Sequence, residues 1–255
     1  MSRPFRLPAA LPLLACLVVI AGASPGGARA ASCVPGLALA APDAAPTLLA
    51  VRRDAGRVHF LKDTALAPGC PGPAPYCLDP GFVAPGDAVV VTGTTPGYVC
   101  ATAVTGAGGA PVSGWLPRAS LGPAPAAPAA TAADWTGEWQ SGPEQSISIT
   151  PDSGGAIMLR GSATFGARDA SRVRRGAVNT GEFVAAATPE GGKLAFLVGG
   201  DGNALPYDAE RARTEGRCAL RFWRLGAYLI MVDNQQCGGA NVTFTGVYSR
   251  AGKPG

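Results

Sequence analysis

From Gly122 to Ala133 the chain reads Gly-Pro-Ala-Pro-Ala-Ala-Pro-Ala-Ala-Thr-Ala-Ala, with neither a charge nor an aromatic ring. Proline at that density holds a backbone extended and withdraws N–H groups that a sheet interior needs, so the segment reads as a semi-rigid linker over residues 122–133. It divides the chain into residues 31–121, a piece small enough to need covalent staples, and residues 134–250, with a short tail at 251–255. It also divides the cysteines. Cys33, Cys70, Cys77 and Cys100 precede it; Cys218 and Cys237 follow it. If each piece closes its own bridges, the fifteen pairings open to six cysteines fall to three. Cys218 with Cys237 is then forced. Proximity favours Cys70 with Cys77, leaving Cys33 with Cys100, and the pairing among the first four stays open.

Bridges need an oxidising compartment, and the first thirty residues supply an address. Arg3 and Arg6 precede an uncharged run from Leu7 to Ala23, which Ser24, Pro25, Gly26 and Gly27 break before Ala28-Arg29-Ala30. Basic start, apolar middle and small-x-small end read as a signal peptide over residues 1–30, cleaved near Ala30 to give a periplasmic or secreted bacterial protein. An uncleaved anchor would want about 20 apolar residues. Leu13-Leu14-Ala15-Cys16 has the look of a lipidation site, but Leu17 to Ile20 continue the apolar run beyond it. Removing this segment takes three Arg from 21 basic side chains and none from 17 acidic ones, leaving a net charge near +1. Such a balance argues against nucleic acid and against an anionic membrane surface, and no stable span is left after cleavage.

Both pieces read as all-β. Arg57–Leu61, Asp87–Thr92, Gly97–Val104 and Gly114–Pro117 are short apolar runs fenced by Gly and Pro, with a Gly-rich turn at 106–109. Beyond the linker, Ser146–Thr150, Ala156–Leu159, Glu182–Ala187, Lys193–Val198, Cys218–Arg224, Ala227–Val232 and Asn241–Tyr248 continue the pattern. In the last, Val242, Phe244 and Tyr248 share one face while Asn241, Thr243 and Thr245 share the other. The expectation is a small barrel followed by an antiparallel β-barrel or sandwich of seven to eight strands.

Pro85-Gly86-Asp87 opening a Val-rich strand, Gly97-Tyr98-Val99 on the next, and Gly114-Trp115-Leu116-Pro117 with Leu121 resemble the bacterial SH3-like module over residues 57–121. That family implies a small five-stranded barrel that binds cell-wall peptides or other envelope proteins. The sequence departs from the family at Pro68–Pro80, where a Pro-rich loop carries two cysteines. In the second piece, Gly137-Glu138-Trp139 near the start and Arg250 at the end are similar to lipocalin and avidin-like barrels, in which such an Arg packs across the Trp. The two-domain layout, with Gly176–Gly181 and Asp233–Val242, resembles a family of secreted bacterial proteins and supplies no activity.

Little in the sequence speaks for catalysis. The one histidine, His59, stands between Val58 and Phe60; it has no second His and no Gly-x-Ser-x-Gly to serve. Even pairing of the cysteines removes a thiol nucleophile. Without a Cys-x-x-Cys no zinc site forms, so neither metal nor cofactor is expected. Paired carboxylates need no motif, which keeps a carboxylate-dependent hydrolase as an alternative. The candidate binding residues are Tyr98 and Trp115, as groove lining or barrel core; the four guanidiniums of Arg168, Arg172, Arg174 and Arg175; and Asn179, Asp233 and Asn234. Asp169 can cap a helical turn and Gly176 end it, displaying the Arg side chains for carboxylate or phosphate. Alternatively they pair internally with Glu182 or Asp152. Arg211, Arg213, Arg217, Arg221 and Arg224 among Asp208, Glu210 and Glu215 read as mixed surface charge. The resulting expectation is a non-enzymatic binding protein of the cell envelope, with a protein inhibitor of an enzyme such as lysozyme as the second choice.

Overall fold

The computed structural model describes residues 32–33, 45–104, 110–126 and 129–252. The signal peptide, Cys16 and the Gly-rich turn at 106–109 lie outside these residues. Residues 31–255 make one compact unit.

The first sheet contains β1 (Thr47–Val51), β2 (Val58–Leu61), β3 (Leu78–Val83), β4 (Ala88–Thr95), β5 (Tyr98–Val104), β6 (Pro111–Pro117) and β7 (Leu121–Pro123), in the order β3-β2-β6-β5-β4-β1-β7. One 3-10 turn, Pro75–Cys77, precedes β3, and a second, Arg118–Ser120, joins β6 to β7. Every pairing is antiparallel, and the sheet curls around Phe60, Val83, Val89, Val99 and Leu116, all essentially inaccessible to solvent. Gly114 is needed where β2 crosses β6, because a Cβ there would lie 3.0 Å from Phe60 Cβ and 3.1 Å from the Leu61 carbonyl. The start of the Pro/Ala segment joins this sheet, with Gly122 and Pro123 opposite Ala50 and Leu49. Pro at the third residue of an edge strand costs no interior hydrogen bond.

The segment ends at Thr131, which forms a capping box with Asp134 and starts α1 (Ala132–Trp135). There follow β8 (Gly137–Gln140), β9 (Gln145–Pro151), β10 (Ile157–Phe165), α2 (Ala170–Arg174), β11 (Asn179–Ala187), β12 (Lys193–Val198), β13 (Ala204–Pro206), α3 (Ala209–Glu215), β14 (Ala219–Leu225), β15 (Tyr228–Asp233) and β16 (Gly246–Arg250). The nine strands run β11-β10-β9-β8-β16-β15-β14-β12-β13, and a bridge between Ala186 and Asn203 brings the two edges together into a nearly closed barrel. Its inside is filled. Trp135, Trp139, Phe196, Phe222, Phe244 and Tyr248 are almost completely buried, with Phe183 edge-on to Phe244 at 5.0 Å and Phe196 stacked on Phe222 at 5.7 Å. Aromatic rings thus occupy the space that a hollow barrel would leave for a ligand.

Arg250 lies across Trp139, its guanidinium 4.5 Å from the ring centre, and donates to the Asp134 and Thr136 carbonyls; Arg224 approaches the same ring at 4.9 Å. Gly137, at φ 124°, sits against Arg250, and any side chain there would displace the guanidinium.

Two expectations change. Asn241–Thr245 is not strand: Asn241 takes φ 65°, and the Asp233 carboxylate gathers Thr243 Oγ1, Thr245 Oγ1 and Thr245 N–H into an irregular loop. Val242 and Phe244 are buried all the same, which is the alternation that the sequence displays. Of the residues read as mixed surface charge, Arg224 departs, standing on β14 over Trp139, while Arg211 and Arg213 stay at the surface on α3, which Asp208 caps and Gly216 closes at φ 62°. Its arginines pair within the turn: Arg211 and Arg217 with Glu215, Arg213 with Glu210.

Three disulfides form, Cys33–Cys100, Cys70–Cys77 and Cys218–Cys237, closing separations of 67, 7 and 19 residues. The sheets also share a core. Val90 of the first packs with Tyr228, Ile230, Val232 and Val247 of the second, joined by Leu48, Ala88 and Leu225, and Tyr228 Oη donates to the Ala88 carbonyl at 3.4 Å. No helix among the described residues is long and apolar enough to cross a membrane.

Candidate functional site

The first sheet is opened on one side by the long connection between β2 and β3. Residues 62–77 leave the sheet, turn twice and return, and Cys70–Cys77 ties the excursion together. Lys62 Nζ donates to the Tyr76 carbonyl at 2.8 Å and Leu61 rejoins Leu78 in register. Between this connection, the β4–β5 turn and the Arg118–Ser120 turn lies an open groove of about 500 Å³. Pro73 and Leu78 form one wall, Tyr98 and Pro117 the other, and Arg57 and His59 line the same groove. Leu78 is 48% exposed, a large share for a leucine. His59 is half-buried, with Nδ1 3.2 Å from the Asp79 carbonyl and its ring 5.7 Å from Phe82; Arg57 stacks on the other partner of that contact, 4.1 Å from the Phe82 centre. The lining is therefore largely apolar, with the Arg57 side chain at one corner.

Beneath the groove lies a group that sequence reading missed. Asp63 is buried at 3% exposure, accepting the Cys33 N–H at 2.6 Å, the Ala65 N–H at 2.9 Å and the Trp115 indole N–H at 3.1 Å. Burial pushes its carboxyl up, but the N–H groups of Cys33, Ala65 and Trp115 together outweigh it and hold Asp63 below the usual aspartate range. A lowered folded pKa contributes stability above the unfolded value and loses it as pH falls through the folded one. D63N should therefore cost about 2 kcal/mol at neutral pH, with the gap to the parent shrinking once the pH is below about 4. Urea denaturation at pH 7 and pH 3 reads both; an equal gap at the two would place the effect elsewhere. Nothing in the local pattern Leu61-Lys62-Asp63-Thr64 marks this Asp as buried, because two of its three partners lie 30 and 52 residues away.

Of the expected site residues, Tyr98 lines the groove and Trp115 does not: at 1% exposure it is core, its indole bonded to Asp63. Asn179, Asp233 and Asn234 are also taken up by the fold. Asn179 Nδ2 donates to the Ala240 carbonyl at 2.7 Å, Asn234 accepts from Ala219 N–H and donates to the Arg217 carbonyl, and Asp233 holds the 243–245 loop. Arg172 is occupied too, lying 4.8 Å over Phe165 and 3.9 Å from Asp169. Arg168, Arg174 and Arg175 are exposed, and the internal pairing with Glu182 or Asp152 does not form. Asp169 instead caps α2, accepting from Ser171 and Arg172 N–H.

Of three further grooves, one lies on the second sheet and two touch both sheets, and each is lined by one carboxylate, Glu190, Asp87 and Asp134 in turn, with none at Tyr98. None of these four assembles the facing pair that glycoside hydrolysis uses. Among the described residues no three His, Cys, Asp or Glu side chains cluster to hold a metal. No family model matches this chain, and no curated protein or solved structure matches it either.

Proposed function

We propose that the protein is an exported, non-enzymatic binding protein of the bacterial cell envelope, and that the groove beside Tyr98 takes a cell-wall peptide or an extended segment of an envelope protein. The observation that carries this reading is the exposed apolar lining, Leu78, Pro73, Tyr98 and Pro117, with Arg57 beside it. A solvent-facing leucine opposite a tyrosine has no role in the fold's own core, whereas a bound backbone would cover both. Within residues 57–121, the antiparallel neighbours β4, β5 and β6 and the 3-10 turn at Arg118–Ser120 are features that an SH3-like barrel would share, in a sheet of seven strands rather than five. The Pro-rich, disulfide-tied excursion departs from that family's pattern and supplies one wall of the groove. Three bridges fit a chain that folds outside the reducing cytosol, and the amino-terminal segment supports export to the periplasm or beyond.

The test is retention of residues 31–255 on purified peptidoglycan. The parent should be retained, and L78D/Y98A should bind about tenfold more weakly; because Tyr98 packs in part on the Cys33–Cys100 core, L78D alone, which should keep its thermal midpoint and still bind more weakly, shows that the loss is one of binding. No retention of the parent, or equal retention of both, would reject the reading.

A further inference from the structure

A second surface stands apart from the groove, on the α2 loop between β10 and β11. Residues 166–178 carry four Arg against one Asp, a local net charge of +3, in a barrel region (134–250) where the remaining eight basic side chains face eleven acidic ones. Both carboxylates that face the loop serve its backbone. Asp169 accepts from Ser171 and Arg172 N–H, and Glu144 accepts from Ala167 N–H at 2.7 Å and Thr164 Oγ1 at 3.1 Å. Arg168, Arg174 and Arg175 are exposed and their guanidiniums form neither ion pair nor hydrogen bond among the described residues, and Val173 beside them is 53% exposed. The contrast is with α3, where Arg211 and Arg217 share Glu215 and Arg213 pairs with Glu210. The loop is held in shape as well. Arg172 is stacked on Phe165, Gly176 turns the chain at φ 63°, and Asn179 is bonded to Ala240. Its ordering cost is therefore met before any partner arrives.

We infer that this loop is the contact element for an acidic protein surface. Arg presents a planar fork that matches a carboxylate in two places, and an apolar residue enclosed by Arg is the composition found at the centre of protein interfaces. A membrane would need a larger apolar face or a second anchoring signal than one valine supplies. A nucleic acid would need basic groups along a longer track.

The experiment uses residues 31–255 and three probes at low salt: fluorescein-labelled poly-L-glutamate, vesicles of phosphatidylglycerol with phosphatidylcholine, and a mixed-sequence DNA duplex. The parent should bind poly-L-glutamate in preference to the other two, R168Q/R174Q/R175Q should bind it about tenfold more weakly, and R211Q/R213Q/R217Q should leave it unchanged. The guanidiniums of Arg168, Arg174 and Arg175 have no partner in the fold, so an unchanged circular dichroism spectrum and thermal midpoint for R168Q/R174Q/R175Q make the loss a binding loss. Tighter binding to vesicles or to DNA, equal loss in both variants, or no binding of the polypeptide would overturn the inference. It does not depend on the peptide groove, and L78D/Y98A should leave poly-L-glutamate binding intact.

Discussion

Serine at both Cys33 and Cys100 should lower the stability of the protein by about 4 kcal/mol, the largest effect of any of the three bridges, because the closed loop is the longest. The separation is 67 residues against 19 and 7 for the others. Chain entropy is one part. The bridge also brings Cys33 to β5 beside Trp115, where its backbone N–H is the shortest of the three bonds to Asp63. Without the bridge the buried carboxylate keeps its desolvation and loses one donor, so the bridge and Asp63 act together rather than additively. The checking measurement is a double-mutant cycle in urea with C33S/C100S, D63N and their combination. A combined loss clearly smaller than the sum of the two is expected. Strict additivity would show that the bridge does not position Cys33 for Asp63, and a midpoint unmoved by C33S/C100S would remove the entropic argument as well.

How far the fold can be read from the residues depends on whether the signal is local. The alternation in Ser146–Thr150 and the Gly and Pro fences around Asp87–Thr92 are local, and β9 and β4 stand where they mark them. The Cys218–Cys237 pair follows from the linker's position alone. The strands that escape notice are β1, β3, β7 and β13, which are short or carry Pro or Gly, as in Leu78-Asp-Pro-Gly-Phe-Val. Such segments are held by their neighbours, not by their own propensity. For the candidate site the division is similar. Tyr98 is findable as an aromatic beside a Gly turn, but a groove exists only once the β2–β3 excursion folds back against the Arg118–Ser120 turn. Asn179, Asp233 and Asn234 look like ligand-reading polar groups in sequence, and their partners, Ala240, Thr245 and Arg217, lie in segments that only the barrel brings close. One signal was present and is easily passed over. Tyr228-Leu-Ile-Met-Val and Ala88-Val-Val-Val are unbroken apolar runs, whereas a strand wet on one face alternates.

Those two runs lead to the second large effect. In β15, Leu229 and Met231 enter the barrel while Tyr228, Ile230 and Val232 face outward, yet all five are buried; in β4, Val89 and Val91 line the first core and Val90 points away from it. The outward residues meet each other, with Val247 of β16 completing the contact. I230D should therefore cost about 4 kcal/mol, since it places an unpaired carboxylate in a dry interface and leaves both barrel interiors untouched. The decisive readout is which sheet responds. Amide hydrogen exchange should show lost protection in β4 and β5 as well as in β15 and β16, because the shared core couples two sheets that a Pro/Ala linker alone would leave independent. Residues 131–252 expressed alone should then bind a hydrophobic dye that the parent does not, through Tyr228, Ile230, Val232 and Val247. Loss of protection confined to β15 and β16, with β4 and β5 as in the parent, would mean that the two sheets fold separately and that the linker, not the contact, is what joins them.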